Sequence, residues 1–115
     1  MENVVKSKSL AFAKRIVRLY KHLCEVRREY VLSNQVLRSG TSIGANVAES
    51  VYAISRRDFV AKMYIALKEC AETIYWLELL RAGEFITEKE HLSLHNDCDE
   101  LRKILSSITK ISKNS

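Results

Sequence analysis

The sequence of 115 residues contains no proline and only three glycines. Folds built from β-strands need many tight turns, and glycine and proline make most of those turns. Their scarcity therefore argues against a β-rich fold and favours a few long helices. A chain of this length corresponds to one domain. We therefore expect residues 1–115 to form a single all-helical domain.

The chain also lacks the long apolar runs of membrane and secreted proteins. No stretch approaches the roughly 20 uninterrupted apolar residues of a membrane span. The N-terminal sequence MENVVKSKSLAFAKR has dispersed charges and no apolar core like that of a signal peptide. The three cysteines form no CxxC pair and are odd in number, which is typical of reduced thiols. These features predict a cytoplasmic protein with no membrane partner.

Apolar residues recurring at helical spacing predict four helices. Helix 1 is expected from Ser7 or Ser9 to Arg28. Helix 2 is expected after an N-cap at Ser33 and to end between residues 52 and 54. A break at Gly40 would instead give two short helices, but the apolar phase continues across both glycines and favours one helix.

The starts of the last two helices carry capping-box patterns, Ser55 with Asp58 and Thr87 with Glu90. Gly83 suits a left-handed C-cap for helix 3. The three connections are short, so helices adjacent in sequence should pack antiparallel. The sequence therefore predicts an antiparallel up-down-up-down four-helix bundle.

The segment LRSGTSIGANVAES, residues 37–50, places Gly40 and Gly44 four residues apart within helix 2. Each glycine costs a helix about 1 kcal/mol relative to alanine. Close approach of another helix, which a Cβ would prevent, is the usual reason for two on one face. We expect this face to be a packing motif. Asn46 and Glu49 are expected to make structural contacts at a helix or subunit interface.

Helices 1 and 3 each carry two apolar seams, whereas a helix in a monomeric bundle needs only one. An exposed seam of this size would be a liability in a monomer. We therefore expect a cyclic homo-oligomer. The second seams consist of Ala13, Val17, Tyr20 and Cys24 in helix 1, and of Val60, Tyr64, Leu67, Ala71 and Ile74 in helix 3.

The first seams are expected to form the core of the bundle. They consist of Phe12, Ile16, Leu19, Leu23 and Val26 in helix 1, and of Phe59, Met63, Ala66, Cys70, Thr73, Leu77 and Leu80 in helix 3. Helix 4 contributes the stripe Leu94, Cys98, Leu101, Leu105 and Ile108.

Two segments carry a family resemblance. EYVLSNQVLRSGTSIGANVAES (29–50) and SRRDFVAKMYIALKECAETIYWLELL (55–80) resemble the four-helix-bundle proteins encoded within intervening sequences of bacterial 23S rRNA genes. The resemblance implies a ring, with a pentamer favoured, and no catalytic activity. A related branch, the accessory variability proteins of diversity-generating retroelements, binds nucleic acid beside a reverse transcriptase. The resemblance does not decide between the two branches.

The net charge of +5 is concentrated at one end of the chain. Residues 1–28 hold eight lysines and arginines against two glutamates, and the remaining residues hold eleven basic and twelve acidic side chains. With a pI of about 9.2, this asymmetry indicates contact with the RNA or DNA backbone, without sequence readout. The candidate phosphate contacts are Lys14, Arg18, Lys21 and Arg28. Arg38 is left open between a phosphate contact and an interface contact.

Catalysis has little support in the sequence. His91, His95 and Cys98 share one face of helix 4 and are zinc-ligand types, but no ligand from a second element accompanies them. We expect no enzyme, no metal and no cofactor. The leading hypothesis is a non-enzymatic, oligomeric nucleic-acid-binding protein. Its alternatives are a structural module that recruits a protein such as a reverse transcriptase, and a metal-dependent enzyme that uses the helix 4 residues.

Overall fold

The computed structural model describes residues 2–114, and the side chains of residues 3–110. Over this range the chain forms four α-helices and no strand. The helices are α1 (Glu2–Glu25), α2 (Val31–Ser50), α3 (Arg56–Ala82) and α4 (Glu88–Asn114). The predicted all-helical fold with four helices is confirmed. The prediction that α2 continues through both glycines is also confirmed.

Each helix packs against its neighbours in the sequence, and α1 also contacts α4. The Thr73 hydroxyl in the second half of α3 donates to the Ser39 hydroxyl in the first half of α2, at 2.9 Å. At the other end of this pair, Lys62 near the start of α3 bonds to Glu49 near the end of α2, at 3.1 Å. The order of these contacts along α2 is therefore the reverse of their order along α3.

The core contains the first apolar seams that the sequence indicates. From α1 it takes Val5, Phe12, Ile16, Leu19 and Leu23, and from α4 Leu94, Cys98, Leu101, Leu105 and Ile108. Along α3 the buried positions are Met63, Ala66, Cys70, Thr73, Leu77 and Leu80. Val26, predicted as the last member of the α1 seam, is instead 64% exposed because it lies beyond the helix end.

The predicted bounds of α1 are wrong at both ends. The helix begins before Ser7, and the Ser7 and Ser9 hydroxyls donate to carbonyl oxygens three residues earlier instead of capping a first turn. It ends at Glu25 because Arg28 takes a left-handed conformation, with a φ of 54°, and turns the chain towards α2. Arg28 is therefore not part of the helix 1 face to which the sequence assigned it.

The predicted N-cap of α2 at Ser33 is wrong. The N-cap position is Tyr30, whose side chain makes no capping hydrogen bond, and the side chain of Glu29, one residue earlier, caps the helix instead. The Glu29 carboxylate accepts hydrogen bonds from the backbone N–H groups of Val31, Leu32 and Ser33, at 2.7–3.0 Å. Ser33 is instead buried in the first turn, where its hydroxyl donates to the Glu29 carbonyl. A carboxylate at this position also interacts favourably with the positive end of the helix dipole.

The C-terminus of α3 differs from the prediction at Gly83. Its φ of −79° is right-handed, and the left-handed residue is Glu84, with a φ of 62°. Glu84 and Phe85 donate their N–H groups to the carbonyls of Arg81 and Leu80, which is a Schellman arrangement shifted by one residue. A Cβ at Gly83 would lie 2.9 Å from the Phe85 ring. Close contact, not left-handed backbone, therefore favours glycine here.

Both predicted helix starts are confirmed. The Ser55 side chain accepts a hydrogen bond from the Asp58 N–H at 3.0 Å. Thr87 and Glu90 form a reciprocal capping box, in which each side chain accepts a hydrogen bond from the other residue's N–H. These bonds satisfy backbone donors that have no partner within the helix.

The capping box of α4 predicts a pH dependence of stability. The hydrogen bond from the Thr87 N–H holds the pKa of Glu90 below its usual value of 4.5. A carboxylate with a lowered pKa stabilises the folded state above the pKa of the unfolded chain, and this contribution is lost as the pH falls through the folded pKa. Glu90→Gln should lower stability at neutral pH by about 0.3–1 kcal/mol.

The measurement is chemical denaturation of both proteins across pH. The difference between parent and variant should shrink towards zero as acid protonates Glu90. Glu78→Gln is a matched control, because Glu78 is exposed and makes no hydrogen bond or ion pair with the described residues. A difference that stays constant from neutral to acidic pH would contradict the assignment.

Candidate nucleic-acid interface

Three cations on α1 form an exposed strip. Lys14, Arg18 and Lys21 are all exposed and follow one another at intervals of four and three residues, which places them on one side of the helix. None of them takes part in an ion pair with the side chains of residues 3–110. We call these three residues the basic strip. Their charges are available to an external anion.

The neighbouring cations on α1 are engaged within the chain. Lys8 pairs with Glu100 at 2.9 Å. Arg15 donates to the Asp97 carboxylate at 2.6 Å and to the Ser93 hydroxyl at 3.0 Å. These contacts join α1 to α4 and neutralise two of the positive charges. Only some of the basic residues of α1 are therefore available to bind an external anion.

Arg27 and Arg28 lie past the end of α1. The Arg27 guanidinium donates to the Phe85 carbonyl at 3.0 Å and lies over the Phe85 ring, 5.4 Å from its centroid. It holds the turn between α3 and α4 against the end of α1. Arg28 is exposed, but its left-handed backbone removes it from the helical register of the basic strip.

The structure places Arg38 in a contact between helices. Its guanidinium bonds to the Glu72 carboxylate and lies 3.6 Å from the Glu69 carboxylate, both on α3. The Trp76 ring N–H donates to the same Glu72 carboxylate at 2.8 Å. Two carboxylates thus face the charge of Arg38. Of the two readings of Arg38, this geometry matches the interface contact.

Gly40 and Gly44 face α1 at very short range. A Cβ at Gly40 would lie 2.8 Å from Cγ1 of the buried Ile16, and one at Gly44 would lie 3.2 Å from the backbone oxygen of Ser9. Real Cβ atoms essentially never approach another heavy atom within 3.0 Å. The two glycines therefore let α1 and α2 approach more closely than alanines would.

The other two interface candidates make different contacts. Glu49 pairs with Lys62 of α3 at 3.1 Å. Asn46 is half-buried, and its side-chain amide donates at 2.8 Å to the Ser42 carbonyl of its own helix. Glu49 therefore joins two helices, whereas the hydrogen bond of Asn46 is local to α2.

The second seams of α1 and α3 are only partly covered within one chain. Val17 is 44% exposed and Tyr64 is 45% exposed. Ala13, Tyr20 and Cys24 of α1 are half-buried, as are Val60, Leu67 and Ile74 of α3. On an ideal helix Val17 lies roughly 40° around the axis from Lys21. The uncovered seam of α1 therefore runs beside the basic strip.

The helix 4 residues do not come together as a metal site. The His91 and His95 rings lie 5.8 Å apart between centroids, whereas the Cys98 thiol is buried and donates to the Cys70 carbonyl at 3.5 Å. Hydrogen bonding with Cys70 and burial raise the pKa of the Cys98 thiol, which disfavours the thiolate that a metal needs. Among the side chains of residues 3–110, no three His, Cys, Asp or Glu residues could hold a metal ion.

The sequence alone did not reveal which cations of α1 are paired with acidic residues and which are not. The acidic residues that engage Lys8 and Arg15 lie more than 80 positions away on α4. The regular spacing of Ser93, Asp97 and Glu100 along one side of α4 was the available signal.

None of the helices in the described part of the chain is both long enough and apolar enough to cross a membrane.

Comparison with known proteins agrees with the fold. The chain matches a crystal structure from Bacteroides thetaiotaomicron, described as a protein of unknown function from the S23 ribosomal protein family. The two are 57% identical, with a TM-score of 0.94, and the match covers 95% of this chain and 97% of the other. No curated protein matches the chain. Residues 1–107 match the family model for the 23S rRNA-intervening sequence protein. The chain therefore belongs to the 23S rRNA-intervening sequence protein family.

Proposed function

We propose that this protein is a non-enzymatic, ring-forming bundle that binds the backbone of RNA or DNA through the basic strip. The observation that carries the proposal is the contrast along α1. Lys14, Arg18 and Lys21 are exposed without an ion pair among the described residues, whereas Lys8 and Arg15 are neutralised by α4. Uncompensated cations on one helix face attract phosphates irrespective of sequence. The family's association with 23S rRNA genes makes RNA the first ligand to test.

Assembly into a ring would strengthen binding to the nucleic-acid backbone. The uncovered seam of α1, with Val17 44% exposed, offers apolar surface for a second copy. The basic strip lies next to that seam and would remain at the polar rim of such a contact. Each added copy would repeat the strip and add phosphate contacts. We favour a pentamer from the resemblance, with each protomer an antiparallel up-down-up-down bundle, which the reversed order of contacts between α2 and α3 supports.

The test compares two triple variants with the same loss of charge. Lys14, Arg18 and Lys21 are changed together to Gln, which keeps helix propensity nearly level. The matched control changes Lys68, Lys89 and Lys110 to Gln, because these lysines are also exposed without an ion pair in the described range. Both are titrated with structured RNA and random duplex DNA at low salt by fluorescence anisotropy.

The strip variant should bind about tenfold or more weakly than the parent, equally on all sequences, while the control stays within about threefold. Circular dichroism and light scattering verify that fold and assembly are unchanged. Equal affinities of the strip variant and the parent would leave the basic strip as solvated surface.

The alternative is a structural module that recruits a protein, such as a reverse transcriptase, without contacting nucleic acid. The exposed apolar residues of the connection between α2 and α3 favour this second candidate. Tyr52 and Ile54 are 83% and 94% exposed in this segment. Absence of nucleic-acid binding by the parent, together with capture of a purified reverse transcriptase that Tyr52→Ser and Ile54→Ser abolish, would establish the alternative.

A further inference from the structure

A pocket of about 250 Å³ lies between α1 and α4, beside the basic strip. Its floor consists of Leu19 and Leu94, which are 8% and 5% exposed. Its walls are polar and comprise Arg15, Arg18, His22 and Glu90. The volume is below the range of about 300–1,000 Å³ that is typical of drug-sized ligands. The pocket therefore suits one planar ring system that belongs to a larger ligand.

The pocket and the uncovered seam of α1 flank the basic strip on opposite sides. Arg18 belongs to the basic strip and also lines the pocket. On an ideal helix His22 follows Arg18 by about 6 Å along the axis and roughly 40° around it, so the two side chains are neighbours. Val17, in the uncovered seam, lies roughly 140° around the axis from His22. A second copy of the chain packed on this seam would therefore leave the pocket open.

The polar groups of the pocket differ in whether the chain already engages them. Arg15 is held by its bonds to α4. The Glu90 carboxylate accepts the Thr87 N–H through Oε1 at 2.8 Å, and its Oε2 makes no hydrogen bond with the described residues. The His22 imidazole is exposed and makes no hydrogen bond within the same range. The pocket thus offers the charge of Arg18, a carboxylate oxygen and a flat ring to a ligand.

We propose that this pocket binds one unpaired base of an RNA strand held by the basic strip. The proposal rests on the proposed function, because Arg18 holds a phosphate of the same strand. The base stacks on the His22 ring above the apolar floor, as unstacked RNA bases do on aromatic side chains and histidine. Glu90 accepts an N–H from an exocyclic amino group, as acidic side chains do from cytosine.

The charges of the pocket favour a nucleotide over simpler ligands. Arg18 and Glu90 have opposite signs, so an inorganic anion would meet the carboxylate and a simple amine would meet the guanidinium. A nucleotide presents its phosphate and its amino-bearing base at separate ends and can satisfy both groups. Bases within an A-form helix are excluded, because their pairing edges are engaged and side chains cannot read the deep, narrow major groove.

The test compares RNA hairpins that differ at one position of the stem, which is fully paired, carries a bulged adenosine or carries a bulged abasic residue. Fluorescence anisotropy with the full-length protein measures their affinities at one salt concentration. The adenosine bulge should bind about tenfold more tightly than the other two hairpins, as expected for one stacked base. The abasic bulge is the matched control, because it has the same break in the stem without the base. Equal affinities for all three hairpins would overturn the proposal.

Variants of His22 show whether its ring recognises the base. His22→Ala should abolish the preference for the adenosine bulge and leave binding of the paired hairpin within about threefold of the parent, because stacking is lost and phosphate contacts are kept. His22→Phe is the matched control, since it keeps a flat ring and should keep the preference. If both variants weaken binding of all three hairpins alike, His22 contacts phosphate and the proposal is wrong.

The amino group of the base tests the role of Glu90. A bulged purine nucleotide without the 6-amino group should bind about tenfold more weakly than the adenosine bulge, as expected for loss of a hydrogen bond to a charged group. In Glu90→Ala the two bulges should bind alike. Circular dichroism verifies that this variant keeps its helices. Equal binding of the two bulges by the parent would overturn recognition through Glu90.

The same titrations separate failure of this proposal from failure of the proposed function. Binding of the paired hairpin that weakens when Lys14 and Lys21 are changed to Gln supports the basic strip, whatever the bulged hairpins do. Absence of binding to every hairpin at low salt would overturn both proposals. Free adenosine 5′-monophosphate serves as a competitor. If it displaces the bulged hairpin at concentrations near the dissociation constant of that hairpin, the pocket belongs to a free nucleotide and the proposal is overturned.

Discussion

Gly40→Leu is expected to destabilise the protein by about 2 kcal/mol or more. Leucine favours a helix over glycine by about 0.8 kcal/mol, so propensity alone predicts a gain. A Cβ at this position would already lie 2.8 Å from Ile16 Cγ1. Ile16 is completely buried in the core, so the clash must be relieved by separating α1 from α2. Overpacking of this kind typically costs about 1–3 kcal/mol, occasionally more. Urea denaturation measures the loss.

A double-mutant cycle locates the cause. Gly40→Ala should also destabilise, but in an Ile16→Ala background it should be neutral or stabilising, because the clashing methyl and methylene groups are gone. Ala45→Leu, on an exposed position of the same helix, controls for leucine in α2 and should change stability by less than about 0.5 kcal/mol. A Gly40→Leu protein as stable as the parent would show that close approach to α1 is not required.

Charges placed in the second seams should dissociate the ring. Val17 is 44% exposed and Tyr64 is 45% exposed in a single chain, and both side chains are expected to be buried between protomers in the ring. Val17→Glu or Tyr64→Glu would therefore place a carboxylate in this contact. Burying an unpaired charge is far more costly than losing an apolar contact. We expect the parent to have the mass of five chains by light scattering, and each variant to have the mass of a folded monomer.

Leu92→Glu is the matched control, because Leu92 is 58% exposed on α4 and belongs to neither second seam. It should leave the mass unchanged. Circular dichroism must show that the seam variants keep their helices. A parent that is a well-folded monomer at micromolar concentration would contradict the assembly directly.

The fold followed from patterns that act locally. The apolar seams of α1, α3 and α4 placed Phe12, Leu77 and Leu101 in the core, where the structure has them. The caps at Ser55 and Thr87 were predictable because side-chain capping is decided within four residues. Helix ends that depend on left-handed residues were not, since Arg28 and Glu84 carry no residue-type signal for positive φ.

The candidate site was predictable only as a set of charges. Sequence spacing grouped the cations of α1 but could not show that Asp97 engages Arg15 or that Glu72 engages Arg38. Such pairs join residues 34 or more positions apart. Their formation depends on which helix faces meet, which is a tertiary property.

The most direct test of the central claim is the salt dependence of binding to structured RNA and duplex DNA. Each neutralised phosphate contributes a log–log slope of about −0.9 on duplex DNA and about −0.7 on single strands. The three cations of one basic strip can therefore supply a slope of at most about −2.7 on duplex DNA. A ring that presents several strips to one ligand should give a steeper slope. Absence of measurable binding at low salt, or an affinity that does not change with salt, would contradict the account.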